Sequence, residues 1–165
     1  MIRPTVPADT KTLVKLANET TVFKPHEIMA LEEVLDDYHA VEHAQGHRCV
    51  TFEKDGHILG FAYFGPAAMT DNTWYLWWIA VTKHTQAKGI GTQLLHYSEK
   101  EIIKAGGRLY LIETSSLPHY EQTRRFYLKH GYEQHATIGD FYSDGDSMVI
   151  FRKHLKSVAA TRGGA

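Results

Sequence analysis

At 165 residues, against roughly 150 per domain, the chain predicts one compact domain over residues 1–156 and a short disordered tail over 157–165. Its 18 Lys and Arg against 19 Asp and Glu leave a net charge of −1, without the basic excess of a nucleic-acid binder or the basic apolar helix of a membrane-surface protein. One cysteine, Cys49, excludes an internal disulfide and a CxxC zinc site.

Ile2 to Thr5 predicts a short strand. The Pro-Ala-Asp that follows resembles a helix start, and Leu13, Leu16, Ala17 and Val22 then keep a helical spacing. Pro25 suits the first position of a second helix. That helix has an apolar stripe of Ile28, Leu31, Val34, Leu35 and Tyr38, and an acidic face of Glu27, Glu32, Glu33, Asp36 and Asp37. Gly46 ends the region. Arg48 to Glu53 and His57 to Phe64 are extended runs around Lys54-Asp55-Gly56, where Asp-Gly marks a hairpin turn that needs positive φ angles. Pro66 to Asn72 reads as a loop. Trp74 to Val81 is the longest apolar run, eight residues, far below the roughly 20 that cross a bilayer. Being apolar on both alternating faces, it predicts a central strand covered on both sides.

A helix pattern runs from about Gly89 to Ala105, with Ile90, Leu94, Leu95, Ile102 and Ile103 on one side, and stops at Gly106-Gly107. Leu109 to Thr114 is a buried-type strand, and Pro118 to His130 a helix with Gly131 just past its end. Tyr132 to Ile138 and Asp146 to His154 are two closing strands around a polar turn, Asp140 to Gly145. The order β-αα-ββ-β-α-β-α-ββ predicts a mixed α/β (α+β) single domain. The first residues carry no apolar signal region, so a cytoplasmic protein is expected.

Chemistry concentrates in Gln86-Ala87-Lys88-Gly89-Ile90-Gly91-Thr92, between a buried strand and a helix. Two glycines one residue apart let a backbone turn tightly and approach a ligand, and a helix start offers N–H groups to an anionic phosphate. A nucleotide P-loop needs GxxxxGK[ST], and no Lys-Ser or Lys-Thr follows Gly91. A dinucleotide fingerprint needs GxGxxG, and Leu94 stands at its third glycine.

Gln86-x-x-Gly89-x-Gly91 after a strand ending Ile-Ala-Val resembles the acetyl-CoA loop of the GNAT N-acetyltransferases. Arg124-Arg-Phe-Tyr-Leu-Lys-His-Gly-Tyr132 resembles the family's second signature, a tyrosine-bearing helix followed by Lys-x-Gly-aromatic. The element order from Ile2 to about Leu155 also matches. The resemblance implies a mixed, mostly antiparallel central sheet of about seven strands with about four helices and splayed central strands. It implies that Gln86, Ala87, Lys88, Gly89, Ile90, Gly91 and Thr92 wrap the CoA pyrophosphate. Ile79, Ala80 and Val81 would pair with the pantetheine arm, held between Trp74–Val81 and Leu109–Thr114, and supply an N–H to the oxyanion.

The same resemblance makes Tyr127, four residues before Gly131, the acid that protonates the departing thiolate. Many family members carry a base glutamate on the strand corresponding to Trp74–Val81; this strand has no ionisable residue apart from Tyr75. Glu113 is the replacement expected here. By alternation it shares a face with Leu109 and Leu111, where partial desolvation raises a carboxyl pKa; a base acting through ordered water stands beside it. The acidic helix face and the hairpin residues Phe141 and Tyr142, with Trp77, suit a cationic amine acceptor.

Cys49 reads as a core thiol, and direct attack in a ternary complex is expected over an acetyl-cysteine. His39, His43 and His47 have metal-like four-residue spacing, but Gly46 interrupts a shared helix and no HExxH is present, so no metal is expected. His84 and His119 flank the expected active region. The sequence thus predicts acetyl transfer from acetyl-CoA to a primary amine, on a small molecule, a lysine or an N-terminus, with a homodimer possible. The alternatives are a non-catalytic acyl-CoA-binding module and a transferase using another acyl-CoA.

Overall fold

The computed structural model describes residues 1–83 and 89–155. Seven strands and four α-helices among them follow the predicted order. They are β1 (Ile2–Pro4), α1 (Thr10–Glu19), α2 (Pro25–Ala40), β2 (Arg48–Lys54), β3 (His57–Pro66), β4 (Thr73–Val81), α3 (Ile90–Lys104), β5 (Leu109–Ser115), α4 (Glu121–Lys129), β6 (Glu133–Ser143) and β7 (Asp146–His154). The strands form one mixed sheet in the order β1-β2-β3-β4-β5-β7-β6. Its β4–β5 pair is parallel, while β1–β2, β2–β3, β5–β7 and β6–β7 are antiparallel. The β4–β5 register runs from Thr73↔Leu109 to Leu76↔Ile112; β4 continues to Val81 and β5 to Ser115. No helix among the described residues is long and apolar enough to cross a membrane. The expected tail, 157–165, lies outside the described residues.

Two compact units divide the chain. The first comprises Met1–Gly65 with Trp77–Lys100, the second Pro66–Leu76 with the described residues from Glu101 onward. In the first, Leu13, Leu16 and Ala17 of α1 and Leu31, Leu35 and Tyr38 of α2 pack with Cys49, Phe61, Tyr63 and Ala80. Leu31, Leu35 and Tyr38 recur at the helical period, which leaves Glu32, Glu33, Asp36 and Asp37 on the exposed side. Each fully buried leucine contributes about 1.5–3 kcal/mol. Asp55 and Gly56 turn β2 into β3 with φ of 51° and 75°, as Asp-Gly predicts.

In the second unit α4 anchors itself through Tyr127, whose ring meets Tyr132 at 5.9 Å and Phe151 at 5.7 Å. Arg124 donates to the Ser115 and Leu117 carbonyls at 2.7 and 3.0 Å, tying the helix to the end of β5.

Three elements differ from the sequence reading. The helix expected over Pro118–His130 splits into a 3-10 turn, Pro118–Tyr120, and α4. β6 extends past Ile138 to Ser143, because Ser143 pairs with Asp146 and the turn contracts to Asp144-Gly145; the polar residues from Asp140 belong to an exposed edge strand. The strand expected to be covered on both sides has Trp74, Leu76 and Ala80 buried, but Tyr75, Ile79 and Val81 are only half-buried and Trp77 is 40 % exposed.

Candidate active site

A cavity of about 270 Å³ opens in the first unit, lined by Val34, Asp37, Glu42, His47, Tyr63, Trp77 and Trp78. α2 brings Asp37 from its acidic face, and the turn after α2 brings Glu42. The β2–β3 hairpin brings His47 and Tyr63, and β4 the two tryptophans. Gly65 explains how an indole can lie here. A Cβ at that position would fall 2.8 Å from Cζ3 of Trp77 and 2.9 Å from Cδ2 of His47, so a glycine is what lets both rings lie flat over the strand. The His47 ring sits 4.9 Å from Trp77, and Tyr63 5.5 Å from the same indole.

His47 Nδ1 lies 2.6 Å from the Tyr63 hydroxyl, and its Nε2 lies 3.4 Å from the Glu42 carboxylate. A neutral ring has one N–H, and a carboxylate accepts only; Nε2 therefore carries the hydrogen and Tyr63 donates to Nδ1. Burial pushes the His47 pKa down and Glu42 opposes that shift. Burial, with Glu42 next, pushes the Tyr63 phenol up, so it stays protonated. These groups escape the sequence reading, which takes up His47 only as one of three histidines at metal-like spacing and Tyr63 only within the extended run His57 to Phe64.

Of the residues expected to hold the acceptor, Trp77 lines this cavity. Phe141 and Tyr142 are exposed on β6, with rings 5.1 Å apart, and are not among its lining residues. Ile79, Ala80 and Val81 complete β4. Gln86, Ala87 and Lys88 lie outside the described residues, as does His84. Gly89 has φ of 99°, a left-handed value that a side chain would strain. α3 begins at Ile90, so Gly91 and Thr92 sit in its first turn, and the Gln93 N–H reaches the Gly89 carbonyl at 2.9 Å.

Tyr127 is buried, 3 % exposed, and among the described residues no partner pairs with its hydroxyl; burial raises its pKa. Glu113 lies on the face of Leu109 and Leu111, as alternation predicts, while Tyr110, Ile112 and Thr114 turn inward. It is solvent-exposed, yet loss of hydration beside the sheet raises its pKa, and its charge helps raise that of Tyr75. Cys49 is buried in the core, its thiol pushed up to about 12 by burial, which suits packing and not nucleophilic attack. His39, His43 and His47 do not share a helix: α2 ends at Ala40, and Gly46 turns at φ 94° before His47. His119 is exposed and packs on Tyr120.

The GNAT acetyltransferase domain matches residues 45–134. A GNAT-family crystal structure from Desulfovibrio desulfuricans is 32% identical, superposes with a TM-score of 0.90, and covers 94% of this chain and 99% of its own. An aminoglycoside 6'-N-acetyltransferase complexed with coenzyme A shares the fold at 19% identity and a TM-score of 0.74, over 94% of this chain and 97% of that one. The ribosomal-protein-S18-alanine N-acetyltransferase from Escherichia coli does so at 15% identity and 0.76, over 96% and 95%. A search of the curated proteins found no match. The chain belongs to the GNAT family of acetyltransferases.

Proposed function

We propose that the protein transfers the acetyl group of acetyl-CoA to a small cationic primary amine, by direct attack. The observation that carries this reading is the placement of the acid-and-aromatic cavity on β4. Trp77 and Trp78 wall it, and Ile79–Val81, the backbone expected to hold the thioester, follow on the same strand. At about 3.3 Å per residue, Trp77 and Ala80 are some 10 Å apart along β4, within the span of a small acceptor and the acetyl group. Asp37 and Glu42 attract an ammonium, and the exposed Trp77 indole face adds a cation–π contact. The volume, near the lower end of the roughly 300–1,000 Å³ of drug-sized ligand sites, favours a compact amine or one lysine-like side chain.

The main-chain N–H groups of Gly89, Ile90, Gly91 and Thr92 at the start of α3, with Gln86, Ala87 and Lys88 before them, hold the pyrophosphate. Ile79, Ala80 and Val81 pair with the pantetheine, and one of their N–H groups receives the oxyanion. Tyr127 is the acid proposed for the departing thiolate. An alkyl ammonium, pKa roughly 10.4, must first lose a proton. Exposed Glu113, with its raised pKa, conducts that proton to solvent.

Glu113 works ionised, so rate should fall as pH drops through its raised pKa. Glu113→Gln should remove that acidic limb from the pH–rate profile of kcat; an unshifted profile ends its role. The reading as a whole is tested by free-thiol release from acetyl-CoA against a panel of amines, with products identified by mass spectrometry. Tight acetyl-CoA binding with no acetylated amine would instead mark a non-catalytic acyl-CoA-binding module. Faster turnover of propionyl- or succinyl-CoA would change the donor.

A further inference from the structure

The cavity holds more than an electrostatic trap, since its acid and aromatic groups include a hydroxyl hydrogen-bonded to an imidazole whose other nitrogen faces a carboxylate. Tyr63 Oη donates to His47 Nδ1 at 2.6 Å, and His47 Nε2 faces the Glu42 carboxylate at 3.4 Å. A hydroxyl, an imidazole and a carboxylate in that order are the parts of a proton relay, with the base oriented by its third member. Gly65 and Trp77 fix the imidazole from the side, because the ring has no room to turn toward β3 and stacks on the indole. Tyr38 of α2 packs edge-on against Tyr63 at 5.7 Å and holds the phenol in place.

We infer that Tyr63, His47 and Glu42 form a relay that removes the proton from the acceptor nitrogen as its bond to the acetyl carbon forms. This deepens the acetyl-transfer reading and rests on it. When the neutral amine attacks, the N–C bond forms and the carbonyl electron pair moves onto oxygen. The new adduct nitrogen carries a positive charge and is far more acidic than the free ammonium. Its proton passes to Tyr63 Oη while the Tyr63 hydrogen passes to His47 Nδ1. The phenol is thus regenerated and the imidazolium rests against Glu42. The C–S bond then breaks, the thiolate leaves with its electron pair and takes a proton from solvent, and His47 returns its proton to solvent. With the first proton lost from the ammonium, one proton is released per turnover.

The charges around the imidazole fix the pH signature. Glu42, from the turn after α2, is the charge that acts on His47, and it favours the imidazolium. Asp37 of α2 lines the same cavity, Tyr63 of β3 stays a neutral phenol, Arg48 follows along β2, and β4 contributes the uncharged Trp77. Desolvation outweighs Glu42 and leaves His47 neutral, and so able to accept, at neutral pH. Rate should therefore fall as pH drops through a group titrating below the ordinary histidine value of about 6.5.

The test is the pH–rate profile of the full chain with the best amine of the panel, for the parent, Tyr63→Phe, His47→Gln and Glu42→Gln, with acetyl-CoA affinity measured alongside. Tyr63→Phe and His47→Gln should lower kcat about 100-fold, within the usual range for losing a proton acceptor, with acetyl-CoA affinity unchanged. His47→Gln should also remove the limb that His47 sets, leaving only the one that Glu113 sets. Glu42→Gln should move the His47 limb to lower pH, a displacement that loss of packing alone does not produce. Glu42 is partly exposed at the cavity, so this variant keeps the test readable if His47→Gln fails to fold. A kcat for Tyr63→Phe within threefold of the parent, or a limb unmoved in Glu42→Gln, overturns the relay while acetyl transfer stands. A parent that acetylates no amine overturns both.

Discussion

Tyr127→Phe is expected to lower kcat for acetyl transfer by about two orders of magnitude and to leave the affinity for acetyl-CoA unchanged. The Tyr127 ring fills the space between Tyr132 and Phe151, and phenylalanine fills the same space. Among the described residues the hydroxyl has no partner, so its removal orphans no polar group among them. On the proposed mechanism, what is lost is a donor to the leaving sulfur. Burial raises the phenol above its ordinary value of about 10, whereas an alkyl thiol titrates near 8.5. Complete transfer of the Tyr127 proton to the thiolate is therefore uphill. On the proposed mechanism Tyr127 would stabilise the departing charge by hydrogen bonding and keep its proton. Tyr127→Ala should behave differently, costing about 3–5 kcal/mol of stability, as large aromatic truncations in cores do. Thermal melting beside steady-state kinetics separates the two effects; equal kcat in Tyr127→Phe and the parent removes the hydroxyl from the mechanism.

Trp77→Ala is expected to raise KM for the amine about tenfold, the worth of a partly desolvated cation–π contact, with KM for acetyl-CoA unchanged. Because the indole is 40 % exposed, its removal should cost far less stability than a core tryptophan. Gly65→Ala reaches the same result from beneath: the added methyl meets the Trp77 and His47 rings at under 3 Å and must displace them. Both variants should lose amine affinity; Trp77→Ala should melt near the parent temperature, whereas Gly65→Ala, by displacing His47, should also lower kcat and cost about 1–3 kcal/mol of stability. An amine KM unaffected in both would show that the acceptor binds elsewhere.

The element order and the two loop-and-helix signatures were legible because each rests on local chemistry. Pro25 starts a helix, Asp55-Gly56 turns a hairpin, and the periodicity of Leu31, Leu35 and Tyr38 fixes a buried face. Glu113 was placed on the correct face by alternation alone. The cavity was not legible, and the reason lies in one residue of register. Near the turn Lys54 pairs with His57 and Glu53 with Ile58, but a bulge between Phe52 and Glu53 shifts the remaining pairs by one. Counting back from Asp55-Gly56 would set Arg48 against Tyr63, whereas the structure sets Arg48 against Phe64 and Cys49 against Tyr63. A one-residue slip exchanges the faces of a strand. The approach of His47 to Tyr63 and Trp77 therefore depends on a bulge that no residue type announces. Trp77 misleads for a related reason: its apolar neighbours on β4 mask a ring left open by the absence of a side chain at Gly65.

Acetyl transfer is tested by mass-spectrometric detection of acetylated product when purified protein, acetyl-CoA and a panel of primary amines are combined. The panel should span compact cationic amines, a lysine-containing peptide, carboxylate-bearing amines and aminoglycosides. N-acetylation with stoichiometric CoA release is expected, favouring compact cationic amines or the lysine side chain. Acetyl-CoA left intact with every amine, or turnover confined to carboxylate-bearing acceptors, would contradict it.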